Sequence, residues 1–274
     1  VITPKTISKK ADVPVIRGYD EIIRDQKIRF AAISKMVSLS IKGDCRALIV
    51  SGMPGMGKTF DIMRLVKQAQ TDKICKAKVI KGYARATGLY KALYEYRKEN
   101  ELIVIDDCDS IFRDEVGLNI LKAALDSGDE RHISWATETK MLTEEGEKLP
   151  TSFEYKGTMI FITNVSFDDE IKKDNKLRPH FEALLSRCHY IDTNIKTNRE
   201  SLVRMVHIAY DGGMYDALGI SKPAQEEILK WIEQNMDRLR EISLRMAKKI
   251  GQLYLADPKN WKDIAAVTCL KKEK

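Results

Sequence analysis

No apolar run in this sequence approaches the ~20 residues needed to cross a bilayer, so a helical membrane protein is not expected. Cysteine is sparse and unpatterned: Cys45, Cys75, Cys108, Cys188 and Cys269 are scattered, odd in number and without a CxxC pair. That usage argues against a disulfide framework and against a zinc site, and it leads us to expect a reducing, cytoplasmic compartment. Internal repeats and low-complexity tracts are missing. The stretch Val1–Asp12 mixes Lys with Thr and Ser but has no apolar segment of the secretory kind, so residues 1–18 read as a flexible lead-in. Charge, by contrast, is abundant. The formal balance of +7 favours polyanionic partners, yet Lys and Glu are interspersed along most of the helical segments, which usually marks a solvated face. At 274 residues the chain can hold a main domain and a smaller companion.

Hydrophobic periodicity supplies the organisation. Residues from Tyr19 to Leu39 place Ile23, Phe30, Ile33 and Val37 on one helical face. Short β-type runs follow at Ala47–Val50, Lys78–Ile80, Leu102–Ile105, Met159–Ile162 and His189–Ile191, separated by helical segments carrying Leu89, Ala92, Leu93 and Tyr96, then Leu118, Leu121 and Leu125. A loop from Gly82 to Gly88 is expected after the second run. Runs that are apolar throughout suit strands covered on both faces, so the pattern predicts a mainly parallel sheet with its ligand at the carboxyl ends of the strands. From Thr193 onward only amphipathic stripes remain: Leu202, Met205, Val206 and Ala209; Ile228, Leu229 and Ile232; Leu239, Ile242, Met246, Ile250 and Leu253. The expected layout is therefore an α/β domain over 19–192 and an all-helical domain over 193–274.

The most informative segment is Gly52-Met53-Pro54-Gly55-Met56-Gly57-Lys58-Thr59, which follows the first β-type run and opens a helix with Ile62, Leu65, Val66 and Ala69. This is a Walker A P-loop in its expected setting. Glycines let successive backbone N–H groups and the helix N-terminus face phosphates, Lys58 adds a point charge, and the Thr59 hydroxyl serves Mg2+. We assign Gly52, Pro54, Gly55, Met56, Gly57, Lys58, Thr59 and Phe60 to nucleotide binding. At the end of the Leu102–Ile105 run stand Asp106 and Asp107. Phosphoryl transfer needs one carboxylate for the metal shell and one to polarise the attacking water, and we assign Asp106 to the first task and Asp107 to the second. The structural alternative is that Asp107 caps the next helix, a task that suits Asp109 better.

With these residues the chain resembles the AAA+ ATPases: Gly52–Thr59 and Leu102–Ile111 are similar to their Walker A and Walker B elements. Most members carry Glu where this chain has Asp107, although bacterial replication initiators and related loaders also show Asp-Asp. The short format and this spelling resemble ATPases of phages and mobile elements. The resemblance implies further roles. Asn164, ending the Phe161-Ile162-Thr163-Asn164 run, corresponds to sensor 1 and would orient the lytic water, unless it only starts a turn. Arg187, in Ser186-Arg187-Cys188, corresponds to the arginine finger that reaches a neighbouring subunit, unless it only complements a helix C-terminus. Arg178 and Arg131 are secondary candidates. Arg245 in Ser243-Leu244-Arg245 is similar to the lid arginine called sensor 2, with Arg240 as competitor. Tyr83 and Arg85 stand where remodellers carry a pore loop, the alternative being a packed aromatic beside a turn.

The resemblance thus implies a P-loop sheet with a helical lid, ATP and Mg2+ as cofactors, and a ring, expected to be a hexamer, acting on a protein or nucleic-acid polymer. An adaptor protein or the long connection 134–157 would supply specificity. That connection, holding Trp135, Gly146, Pro150 and Phe153, reads either as a projecting β-hairpin or as a surface excursion whose aromatics enter the core. A clamp- or helicase-loader-like ATPase, or an ATP-dependent switch on DNA, is the competing expectation.

Overall fold

The computed structural model describes residues 17–135, 141–143, 146–173 and 175–272. Most of the expected lead-in, and residues 136–140 and 144–145 of the long connection, lie outside them. In chain order the elements are α1 (Tyr19–Lys42), β1 (Ala47–Ser51), α2 (Lys58–Thr71), β2 (Lys76–Lys81), α3 (Ala86–Glu95), β3 (Glu101–Asp106), α4 (Glu115–Ala124), β4 (His132–Ser134), β5 (Ser152–Glu154), β6 (Thr158–Thr163), α5 (Phe167–Lys172), α6 (Arg178–Arg187) and β7 (His189–Asp192). Every element after β7 is helical: α7 (Asn198–Val206), continued by a π-turn over His207–Asp211, then α8 (Met214–Ala217), α9 (Lys222–Gln234), α10 (Leu244–Ala256) and α11 (Trp261–Cys269).

Five strands form one sheet in the order β2-β3-β6-β1-β7. Each neighbouring pair is parallel. Alternation across the pleat explains why the runs are apolar throughout: Ile49, Ile103, Ile105, Met159 and Phe161 pack on one face, and Leu48, Val50, Leu102, Val104, Ile160 and Ile162 on the other. The first face is covered by α3, α4 and α6 through Leu93, Leu121 and Phe181, the second by α1 and α2 through Ile33, Val37, Ile62 and Val66. The helical part has its own core around Met205, Tyr215, Ile228, Met246, Ile250 and Trp261. It is tied to α1 by Arg17, which donates to Glu200 of α7 and, at 3.2 Å, to Asp25 Oδ2. No helix among the described residues is long and apolar enough to cross a membrane.

Several local expectations need correction. Ile22, not Ile23, turns inward from α1, because the stripe through Phe30 and Ile33 is continued by Gln26 and Ile22. Helix α3 already begins at Ala86, so Gly88 is helical rather than part of the loop. The cap of α4 is Asp114, whose Oδ1 accepts from the Val116 N–H at 3.1 Å, so neither Asp107 nor Asp109 has that task. Helix α10 starts at Leu244, with Ser243 as its N-cap accepting from the Met246 N–H at 3.1 Å; Leu239 and Ile242 precede the helix. In the long connection both readings hold in part. Strands β4 and β5 pair antiparallel, and Leu142 bridges Lys148, as a hairpin requires. Its base is nonetheless packed, with Trp135 and Phe153 at 5.5 and 5.1 Å from the Tyr90 ring.

Candidate nucleotide site

The sheet order brings three carboxyl ends side by side: β1 leads into the P-loop, β3 ends on Asp106, and β6, lying between them, ends just before Asn164. The P-loop has left-handed glycines at Gly52 (φ 146°), Gly55 (φ 74°) and Gly57 (φ 97°), a backbone that side-chain-bearing residues adopt only with strain. Space excludes a side chain as well. A Cβ on Gly52 would lie 1.9 Å from Thr193 Oγ1, and one on Gly55 would lie 2.7 Å from Ser243 Cβ. Pro54 is exposed at the loop tip, whereas Met56 is buried under it and packs with Ile62 and Val66. Phe60, assigned to nucleotide binding from sequence, points outward from α2 and is 73% exposed.

Lys58 is 5% exposed, and its ammonium donates to Gly52 O (2.5 Å), Met53 O (2.8 Å) and Asn164 Oδ1 (3.1 Å). Burial pulls its pKa down to about 8, while Asp107, Asp109 and Asp106 hold the charge and Arg245 opposes it. The Thr59 hydroxyl donates to Asp106 Oδ1 at 2.9 Å. Asp106 is itself buried, and its other oxygen meets Lys81 Nζ at 2.8 Å. Beside it Asp107 adopts a left-handed φ of 53° and accepts from Asn164 Nδ2 at 3.0 Å. Asp109 accepts from the Thr163 hydroxyl at 2.5 Å, which holds the turn after β3 against the end of β6.

Of the sequence-assigned residues, Lys58, Thr59, Asp106, Asp107 and Asn164 therefore converge. Arg245, in the first turn of α10, is exposed and close enough to act on the Lys58 charge; Arg240 instead lines a groove between α10 and α11 with Lys249, Gln252 and Thr268. Arg187 does not join them. It lies before the amino end of β7, and its guanidinium is held by Ala183 O (2.9 Å) and stands 3.6 Å from Asp126 Oδ1. Since Leu48 is in register with His189, Arg187 stands near the level of Arg46, roughly 20 Å from Gly52 at about 3.3 Å per residue. Arg131 is ruled out as a reaching arginine: it is 6% exposed and donates to Ala124 O and Gly157 O. Arg178 is engaged with Glu182 on its own helix. Tyr83, 67% exposed in the loop after β2, is not a packed aromatic; its hydroxyl accepts from Arg85 Nε at 3.2 Å.

Four participants escaped the sequence reading. Lys81 ends β2, one of many lysines with no motif to mark it. Ser243 and Leu244 touch the P-loop, the Leu244 N–H donating to Gly55 O at 2.9 Å. Arg204 of α7 is 4% exposed, stacks 3.5 Å over the Phe30 ring and donates through Nε to Met56 O at 3.4 Å. A single arginine in an amphipathic helix carries no sequence signal that separates it from solvated ones.

The residues fit a nucleoside triphosphate with Mg2+. The glycine backbone, the α2 N-terminus and the buried ammonium form an anion site. Among the described residues no group of three or more His, Cys, Asp or Glu could hold a metal alone. Thr59 and Asp106 would therefore suit a cation that takes its remaining ligands from phosphate and water, as Mg2+ does.

No family model matches the chain. It is 36% identical over 251 residues to an uncharacterised 36.7 kDa protein from the nrdC-mobD intergenic region of Enterobacteria phage T4, covering 92% of this chain and 76% of that protein. Domain III of the replication initiation protein DnaA from Thermotoga maritima is similar in structure, with a TM-score of 0.51 and 10% identity over 90% of this chain and 93% of that one. A crystal structure of a DNA replication initiation factor gives a TM-score of 0.43 and 11% identity over 93% of this chain and 66% of that one.

Proposed function

Because the chain belongs to the family of the phage T4 36.7 kDa protein and has the fold of the AAA+ ATPases, we propose that it binds and hydrolyses ATP at pockets completed by the neighbouring subunit of a hexameric ring. The observation that carries this reading is the convergence of Lys58, Thr59, Asp106, Asp107 and Asn164 from three adjacent strand ends into two neighbouring hydrogen-bonded sets, Lys58–Asn164–Asp107 and Thr59–Asp106. Lys58 and the loop N–H groups would take the β- and γ-phosphates. Bound Mg2+, held by Thr59 and Asp106, would neutralise phosphate charge. Asp107 would accept the proton of the attacking water, with Asn164 fixing the carboxylate through its amide. An Asp is shorter than the usual Glu, and its left-handed backbone sets where the carboxylate stands. Arg187, too far from its own P-loop, would serve the pocket of the next subunit, and Arg245 would report nucleotide state to the lid.

The exposed Tyr83 and Arg85 would then contact a polymer moved or remodelled by the ring, with an adaptor protein as a further partner. A second reading, an ATP-dependent loader or switch on DNA, is supported by the +7 balance and by the stacking and phosphate chemistry of a Tyr–Arg pair. Turnover of ATP by the purified chain, against Lys58→Ala as control, tests the proposal. Absence of ATP uptake by calorimetry would overturn it. DNA-stimulated turnover that falls steeply with salt would select the second reading, whereas protein-stimulated turnover lost in Tyr83→Ala would select the first.

A further inference from the structure

The P-loop is gripped from the lid side on two consecutive peptides. The Gly55–Met56 peptide presents its carbonyl to the Leu244 N–H (2.9 Å), and the Met56–Gly57 peptide presents its carbonyl to Arg204 Nε (3.4 Å). In a planar trans peptide the carbonyl and the following N–H point in opposite directions. Holding both carbonyls toward the lid therefore turns the Met56 and Gly57 N–H groups away from it, toward the concave side of the loop where phosphates bind.

Arg204 is unusual as the source of one of these bonds. It is nine-tenths buried, and among the described residues no carboxylate lies within ion-pair distance; the Phe30 ring and one backbone carbonyl are its partners. Burial holds its pKa down at about 10, with Asp61 the charge that offsets this. A lone buried cation is costly unless something at the site uses it. It stands where the P-loop ends: Nη2 would be 3.8 Å from a Cβ on Gly57. Stacking on Phe30 of α1 stops the guanidinium from swinging away.

We propose that Arg204 and the Leu244 N–H together set the orientation of the P-loop N–H groups, so that docking of the helical lid preorganises the phosphate cradle. Arg204 is a positioning residue, acting on the nucleotide through Met56 and Gly57. Phosphate on those N–H groups polarises the same peptides and strengthens the lid bonds in return, so nucleotide occupancy and lid docking reinforce each other. The inference rests on the P-loop being a nucleotide site.

Calorimetry with ADP and with ATP on the full chain tests it. Arg204→Met should weaken both nucleotides at least tenfold and to the same extent, at unchanged binding stoichiometry; a hydrogen bond from a charged donor is worth about that much. Arg204→Lys should recover part of the loss. If Arg204→Met fails to fold, Leu244→Pro carries the test, with Leu244→Ala as control for the lost side chain: proline is accepted at the first helical position after the Ser243 cap and deletes that N–H, whereas alanine keeps it. Leu244→Pro should show the same equal loss for ADP and ATP. Wild-type affinity in Leu244→Pro or in folded Arg204→Met, or a fall in stoichiometry at unchanged affinity, overturns the inference. Failure of the wild-type chain itself to bind ADP or ATP would instead sink the nucleotide-site reading.

Discussion

The amide of Asn164 stands between Lys58 and Asp107, accepting from the ammonium at 3.1 Å and donating to the carboxylate at 3.0 Å. It thereby separates two opposite charges that would otherwise collapse onto each other and holds the carboxylate at the pocket mouth. Removing the amide should damage the chemical step more than binding. Asn164→Ala is expected to lower ATP turnover about 10²-fold, the usual cost of losing one oriented polar group, while ADP affinity changes by no more than a few fold. Parallel loss of affinity and turnover would refute the water-orienting role.

Lys58 gives the site a pH signature. Its pKa is lowered to about 8 in the free protein, and phosphate beside it must raise that value, because the charged form is what binds. Binding therefore takes up a proton above about pH 8. ADP affinity should be nearly flat below pH 7.5 and fall by up to tenfold per unit above about 8. Calorimetry from pH 7 to 9.5 in buffers of different ionisation enthalpy reads this directly, and a flat profile would contradict it.

Arg187 can be assigned by mixing. Alone, Arg187→Ala should lose about 10³ to 10⁵ in turnover yet bind ATP normally. Lys58→Ala subunits should bind no nucleotide but carry an intact Arg187, so adding them to Arg187→Ala subunits should restore activity at mixed interfaces. An inert mixture, or full activity in Arg187→Ala, argues against a shared pocket.

Gly52 permits a stability test. Alanine there combines a φ of 146° with a Cβ 1.9 Å from Thr193 Oγ1. Gly52→Ala should cost about 2–3 kcal/mol in urea unfolding, and the penalty should shrink in a Thr193→Ala background, where the colliding oxygen is gone. Equal penalties in both backgrounds would place the strain in the backbone alone.

What was legible in the sequence followed physical redundancy. The three central strands of the sheet declare themselves because each is buried on both faces, so that Leu102–Ile105 and Met159–Ile162 have no polar alternation to confuse with a helix, whereas the edge strands β2 and β7 are only half-buried. The P-loop and the Asp106-Asp107 pair were readable because their chemistry demands fixed residue types at fixed spacing. Helix starts were less so: Asp107, Asp109 and Asp114 are equally good caps in composition, and only the tight 3₁₀ turn over Asp109–Arg113 decides for Asp114. Arg204, Lys81 and Leu244 were illegible, since their importance lies in which backbone carbonyl or carboxylate a distant segment presents to them. Leu244 contributes a main-chain N–H, for which side-chain identity is silent.

The separation of Arg187 from Gly52 along the sheet has a geometric corollary for assembly. On the proposed reading, in which Arg187 serves the pocket of the next subunit, a donor region and a receptor region at opposite ends of the sheet would make an interface with two unlike halves, so the copies would stack head to tail. Each added molecule then leaves one unsatisfied half at either extremity until the series bends back on its first member. A mutation that tilts this contact by a few degrees would convert a closed circlet into an open spiral while leaving every individual pocket intact.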